Sequence, residues 1–366
     1  MKGQSRRQLI QSCFSLAVAG LSSAVASVLA ACSGRDESDR ERGKRNPRTV
    51  ARAAKIDPDF EPAYWSLHRS GELKKRADEL WDIMKSCRLC PRQCGANRLA
   101  GEKGFCQSTA QLEIAAFHPH YGEERSLVGR GGSGTIFLSN CSLRCVFCIN
   151  WQISQGGEGE AESIERFATM MLHLQEIGCH NINLVTPTHY SAHILRAVDA
   201  AAGQGLRLPL VYNTCGWERL EVLKKLDGIV DIYLPDLKYS DPAMSSKYSS
   251  GAGTYPEITK TALLEMHRQV GVAKPAADGL MYRGLMIRHL VMPNGVAGTK
   301  RVVEWIAQNL PKDTYVNIMS QYTPVHKAPK YPEINRRITR QEYEEAITWA
   351  RAAGLTNLDV QGYRLL

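Results

Sequence analysis

The chain has 366 residues, 43% of them hydrophobic and 23% charged, enough for one large domain with appendages or for two domains. Its formal net charge is +9, but residues 1–55 hold eleven Lys or Arg against four acids; the remainder is nearly neutral, which excludes a basic nucleic-acid-binding face. Seven of the eleven cysteines fall in two tight clusters, which excludes a secreted disulfide framework and reads as metal binding.

In chain order, residues 1–32 read as a signal peptide. Arg6-Arg7 is a twin-arginine pair, an uncharged small-residue stretch runs from Ile10 to Ala31, and Leu29-Ala30-Ala31-Cys32 has the form of a lipoprotein cleavage box with Cys32 as the lipidated residue. Ala, Gly and Ser make this stretch too weakly apolar for a stable membrane span. The expectation is export by the twin-arginine route and lipid anchoring on the periplasmic side, with a cytoplasmic location as the alternative. Lipid incorporation that survives Cys32→Ala would refute it. Residues 33–62 are a charged linker.

The segment 63–115 combines helices with a four-cysteine site. Leu73, Ala77, Leu80, Trp81 and Met84 recur at helical spacing. Cys87, Cys90, Cys94 and Cys106 follow as C-x2-C-x3-C-x11-C, with Pro91, Gly95, Gly101 and Gly104 to turn the chain. Four thiolates close a zinc tetrahedron or hold an auxiliary iron–sulfur cluster, and in either case leave no open position.

From residue 116 to 366 strands alternate with helices. Strands are predicted at 134–139, 181–186, 208–213, 230–235, 284–292 and 315–320, with a weak seventh near 357–361. The clearest helix, 163–177, has Ser163 at its start, Gly178 at its end and an apolar face of Ile164, Phe167, Met170, Leu174 and Ile177. Such alternation gives a parallel α/β sheet, doubly wound or curled into a barrel.

The first strand runs into Cys141-Ser142-Leu143-Arg144-Cys145-Val146-Phe147-Cys148. A [4Fe–4S] cube normally takes four thiolates; three on one short loop leave one iron open to a small molecule. The alternatives are a zinc knuckle or buried free thiols, but no second C-x2-C pair follows Cys148 closely. The C-x3-C-x2-C spacing, with an aromatic before the last cysteine, resembles the signature of the radical S-adenosylmethionine (SAM) enzymes. Ser139-Asn140-Cys141, Leu143 to Cys148 and Ile153-Ser154 resemble the pyruvate formate-lyase activating-enzyme homologues.

The resemblance runs from Cys87 to Leu366 and implies a partial (β/α)6 TIM-like barrel with an N-terminal four-cysteine extension. It implies a [4Fe–4S] cluster on Cys141, Cys145 and Cys148, with Phe147 beside it and SAM on the open iron. Reductive cleavage of SAM would yield a 5′-deoxyadenosyl radical that abstracts hydrogen from a substrate. The family's strand-end motifs match Thr186-Pro187-Thr188-His189, Asp236-Leu237-Lys238, Arg288 and Gln321 here, and Asn213 ends a further strand where a cofactor bound to the cluster could reach it. Asp236 would accept from the SAM ammonium, and Lys238 would pair with a carboxylate. Each match also has a structural reading: a strand-end ion pair for Asp236 and Lys238, satisfied histidines for His189 and His289, a turn at Gln321. Cys179 and Cys215 read as small buried apolar residues.

The resemblance further implies an electron donor of the flavodoxin or ferredoxin kind, and a glycyl radical enzyme as protein substrate. Two other classes stay open: a non-catalytic iron–sulfur electron carrier, and a metal-binding lipoprotein on a retired enzyme fold. Ile149 departs from the family, where a polar residue usually follows the third cysteine, and Asn294 intrudes between Pro293 and Gly295.

Overall fold

The computed structural model describes residues 60–360; the segment predicted as a signal peptide, Cys32 included, and the predicted linker before Phe60 lie outside the described residues. Nine strands form one sheet in the order β3-β1-β2-β4-β5-β6-β7-β8-β9. They are β1 (Leu112–His120), β2 (Ser133–Leu138), β3 (Glu160–Glu162), β4 (Ile182–Val185), β5 (Leu210–Thr214), β6 (Ile232–Pro235), β7 (Gly284–Leu290), β8 (Tyr315–Met319) and β9 (Leu358–Val360). Every neighbouring pair from β2 to β9 is parallel, while β1 is antiparallel to both β2 and β3.

All seven predicted strands are present, and two more stand beside them. β1 escaped prediction because it carries a late Pro119, which argues against an ordinary interior strand. β3 is three residues of Glu-Ala-Glu with no apolar signal.

The sheet curls, because residues of β2, β4, β5, β7 and β8, with Asp236 and Lys238 just after β6, line one cavity. Side chains alternate along each strand. Val211, Ile232, Leu234, Met286 and Tyr315 form an inner cluster with Leu127. Their neighbours Tyr212, Tyr233, Leu285, Ile287, Val316 and Ile318 join the outer core under the helices. Leu127 sits in a short helix, Arg125–Val128, in the loop after β1. That loop lies at the N-terminal side of the parallel strands, since His120 pairs with Ser133 at the start of β2. Among the described residues the barrel is therefore open at its side and plugged from below.

The predicted N-terminal helical stretch is two helices, α1 (Tyr64–Ser70) and α2 (Glu72–Ile83), divided at Gly71. Gly71 takes φ 76°, a left-handed conformation that glycine adopts without steric cost. α1 is docked below the strands: the Tyr64 hydroxyl donates to the Leu208 carbonyl at 2.9 Å, and Asp231 Oδ1 accepts from the Ala63 amide at 2.9 Å.

The helix predicted over 163–177 is α3 (Ile164–Glu176), and the Ser163 hydroxyl caps it by accepting from the Arg166 amide. Its buried face is Phe167, Ala168, Met170, Met171 and Leu174. Ile177 is 38% exposed, because the helix ends one residue earlier and the chain turns at Gly178. α4 (Ser191–Ala202) carries Arg196, whose guanidinium covers Trp81 of α2 at 3.7 Å from the ring centre.

Candidate active site

One cavity of about 410 Å3 opens within the curl of the sheet, on the side where the parallel strands end. Its wall includes Cys141, Cys145, Phe147 and Cys148 from the loop after β2, Thr186 after β4, Asn213, Asp236 and Lys238 around the ends of β5 and β6, Arg288 on β7 and Gln321 after β8. Loops at the C-terminal ends of barrel strands are where such folds place their chemistry.

The cysteine loop is shaped by the backbone and by many outside partners. Asn140 and Arg144 take positive φ, 73° and 54°, which tightens the chain around Cys141. The Val146 amide donates to the Tyr248 carbonyl at 2.9 Å, and the Gln155 side-chain amide donates to the Cys145 carbonyl at 2.9 Å. Cys145 Sγ lies 3.1 Å from the Ser249 hydroxyl, and Cys148 Sγ lies 3.2 Å from the Ser154 hydroxyl. The Phe147 ring stands 5.7 Å from that of Tyr322. Thr186, a β-branched residue, takes φ 61° on the cavity wall. Strain of this kind persists only where surroundings enforce it and gathers at functional sites.

Burial pushes the Cys145 thiol up to about 12, against the pull of nearby Lys238. Burial likewise raises Cys141. Neutral buried thiols become ligands only when a metal takes the place of the proton. The donor set suits a cube, which takes one thiolate at each iron: three soft sulfurs, no fourth from the same loop, and adjoining space with polar groups for a further ligand. Cys141, Cys145 and Cys148 would hold that cluster.

Burial alone would lower the Lys238 ammonium. The Asp236 carboxylate at 2.6 Å and the thiols of Cys145 and Cys215 outweigh it and raise it above the ordinary lysine value. The pair is largely shielded from water, with side chains 16% and 22% exposed, and faces the cavity as a cation and an anion two residues apart. Arg288 is held differently. Its Nε donates to Glu124 Oε1 at 2.7 Å, its Nη2 donates to both Glu124 Oε2 and Glu123 Oε2, and its Nη1 donates to Asn213 Oδ1 at 3.4 Å. Its charge is thus satisfied by protein carboxylates.

Two residues that sequence reasoning placed at the cofactor turn away from it. Thr188 donates to Glu218 Oε1 at 2.6 Å and is buried, and His189 Nε2 donates to the Ser139 carbonyl at 2.8 Å. Burial first, then the Arg98 charge, push His189 down to about 3, so its ring is a neutral brace. His289 is similar: it bridges the Leu237 carbonyl at 2.6 Å and the Thr299 hydroxyl at 2.9 Å. Sequence reasoning missed Glu123, Glu124, Asn317 and Cys215, all in the cavity wall. Cys215 directly follows Thr214, the last residue of β5, and is half-buried in that wall.

The four upstream thiols gather beside this site. Cys87, Cys90 and Cys106 are buried and Cys94 is exposed. A Cβ added to Gly104 would stand 3.2 Å from Cys94 Sγ and 3.5 Å from Cys106 Sγ. Among the described residues, no three His, Cys, Asp or Glu side chains already stand around one point, neither these four nor the Cys141, Cys145 and Cys148 triplet. Cys94 stands at the surface between Gln93 (φ 43°) and Gly95 (φ 71°). Arg98, fully buried, ties this segment to the barrel by donating to the His189 carbonyl at 2.7 Å.

Glu218 is the buried acid beside the cavity. Thr188 and Thr214 donate to its Oε1, while Oε2 has no partner. Burial lifts it from 4.5 to about 7. A raised acid stabilises the fold fully below pH 4.5 and loses that contribution as pH rises through 7, a span worth roughly 3 kcal/mol. Glu218→Gln should therefore gain on the parent protein by roughly that amount between pH 5 and pH 8 in urea unfolding. Parallel stability curves would show that Glu218 does not titrate in this range.

Residues 135–272 match the radical SAM superfamily, and the chain belongs to that superfamily. An uncharacterized protein of Methanocaldococcus jannaschii is 32% identical over 284 residues, which cover 75% of this chain and 77% of that protein. Among solved structures, a radical SAM methyltransferase from Sphaerobacter thermophilus aligns with TM-score 0.43 and 14% identity over 62% of this chain and 66% of that one. A domain of a pyruvate-formate lyase-activating enzyme from Bacteroides vulgatus aligns with TM-score 0.29 and 16% identity over 44% of this chain and 85% of that one.

Proposed function

We propose that the protein is a radical SAM enzyme whose cavity generates a 5′-deoxyadenosyl radical for hydrogen abstraction from a substrate. The observation that carries this reading is the meeting of Cys141, Cys145 and Cys148 with the Asp236–Lys238 pair in one cavity. When bound, the cluster and SAM supply a one-electron reductive cleavage of the sulfonium, with the electron coming from a flavodoxin- or ferredoxin-like donor. The chain's own part is to bind, orient and shield. Lys238 offers its ammonium to a carboxylate, and Asp236 accepts from an ammonium. Thr186 and Asn213 provide polar wall on either side. Phe147, Leu143, Val185 and Met319 line the same space and give it an apolar wall that limits side reactions.

The finer reading is activation of a glycyl radical enzyme, supported by the Asp236-Leu237-Lys238 segment and by the matches around the cysteine loop. The test is anaerobic reconstitution with iron and sulfide, then dithionite and SAM, with assay for 5′-deoxyadenosine. Product is expected. A fully loaded cluster that yields none would favour the electron-carrier reading.

A further inference from the structure

The charged groups in the cavity wall do not balance. Asp236 and Lys238 neutralise each other, but Arg288 faces two carboxylates, Glu123 and Glu124. These acids come from the loop after β1, which enters from the N-terminal side of the strands, opposite the cysteine loop. Glu124 is fully engaged: Oε1 accepts from Arg288 Nε and from Asn317 Nδ2 at 2.8 Å, and Oε2 accepts from Arg288 Nη2. Glu123 is only half engaged, with Oε2 on Arg288 and no hydrogen bond to Oε1 among the described residues. Asn317 supplies a second, independent sign. It is 1% exposed and lines the cavity, its Nδ2 is fixed on Glu124, and its Oδ1 has no partner.

A buried carbonyl without a donor is costly, and so is a carboxylate in excess of its cations. Both deficits are answered by one kind of group, a positively charged hydrogen-bond donor. An anionic or acceptor-only group would worsen each of them. Water would satisfy Asn317 Oδ1 but leave the charge. We infer that this end of the cavity, formed by Glu123, Glu124 and Asn317, is a substrate subsite for a guanidinium or ammonium group.

This rests on the radical SAM reading of the same cavity and adds a substrate class to it. The two ends then divide the work: Asp236 and Lys238 hold SAM, and the acidic floor holds the cationic end of the molecule that loses hydrogen. The cation arrives either on a free amine or guanidine or on a Lys or Arg side chain of a peptide.

The test is calorimetric binding to the reconstituted protein with saturating SAM. The probes are n-butylguanidine, its neutral isostere n-butylurea, and acetyl-Gly-Arg-Gly-amide as the peptide source. Butylguanidine, the peptide or both should bind at least tenfold more tightly than butylurea, and Glu123→Gln should remove most of that difference. Equal binding of the guanidine and the urea overturns the inference, as does displacement of the guanidine by SAM. Were Glu123→Gln to fold poorly, the guanidine-to-urea ratio of the unaltered protein decides alone. Formation of 5′-deoxyadenosine in the same preparation judges the enzymatic reading separately, since the binding ratio does not depend on it.

Discussion

Arg288→Met should destabilise the protein by about 3–5 kcal/mol at pH 7, the usual cost of removing one partner from a buried ion pair. Arg288 is 14% exposed and faces Glu123 and Glu124, which are 9% and 1% exposed. Methionine fills much of the same space, so the loss is electrostatic rather than a cavity effect. In the parent protein Glu124 is held below its ordinary value. Burial opposes this, but the charge and hydrogen bonds of Arg288 and the Asn317 amide prevail. A lowered acid contributes stability above its unfolded value of 4.5, and that contribution is lost as pH falls through the folded value. Without Arg288 only burial and Asn317 remain, and Glu124 rises. The variant should therefore approach the parent as pH drops from 7 toward 4. Urea unfolding across that range checks the sign, and a deficit independent of pH would mean that Glu124 is not the uncompensated charge.

Cys145→Ala should abolish both iron–sulfur absorption after reconstitution and 5′-deoxyadenosine formation, while the far-ultraviolet circular dichroism stays that of the parent. Among the described residues the thiol's hydrogen bond to a side chain is the 3.1 Å approach to the Ser249 hydroxyl. Ser249 also bonds the Tyr239 hydroxyl at 3.0 Å, so the fold keeps that brace when the sulfur is gone. Two thiolates cannot replace three on a cube with an open iron. A folded variant that retained the cluster and formed product would remove Cys145 from the ligand set and with it the reading of the triplet.

What could be read in the sequence was whatever is written locally. The C-x3-C-x2-C run needs no tertiary information, and each strand end matched a short stretch of chain that the fold carries to one rim. His189 and Thr188 misled because adjacency in sequence does not say which way a side chain turns; both sit in a 3-10 turn that points them inward to the packing. Glu123 and Glu124 gave no signal at all. They belong to a loop with no period, after a strand hidden by Pro119, and matter only because the sheet curls far enough for that loop to meet β7 and β8. Cys215 gives no signal either, since a lone cysteine looks alike in a core and in a wall.

Arg92 carries a last consequence. It belongs to the four-cysteine segment, yet it donates to the Ser142 carbonyl at 3.0 Å and to the Ser249 carbonyl at 3.1 Å. Its guanidinium lies 4.0 Å from the Phe105 ring and 4.8 Å from that of Trp217. Burial lowers its proton affinity, and the thiols on both sides, Cys90 upstream and Cys141 and Cys145 downstream, counteract this. The two cysteine groups therefore share a mould. A fragment starting at β1 would keep every thiol of the triplet and every strand of the barrel, and would still lose the hand that holds the loop in shape. The four-cysteine segment thus shapes the cysteine loop from behind, without itself lining the cavity that the strands enclose.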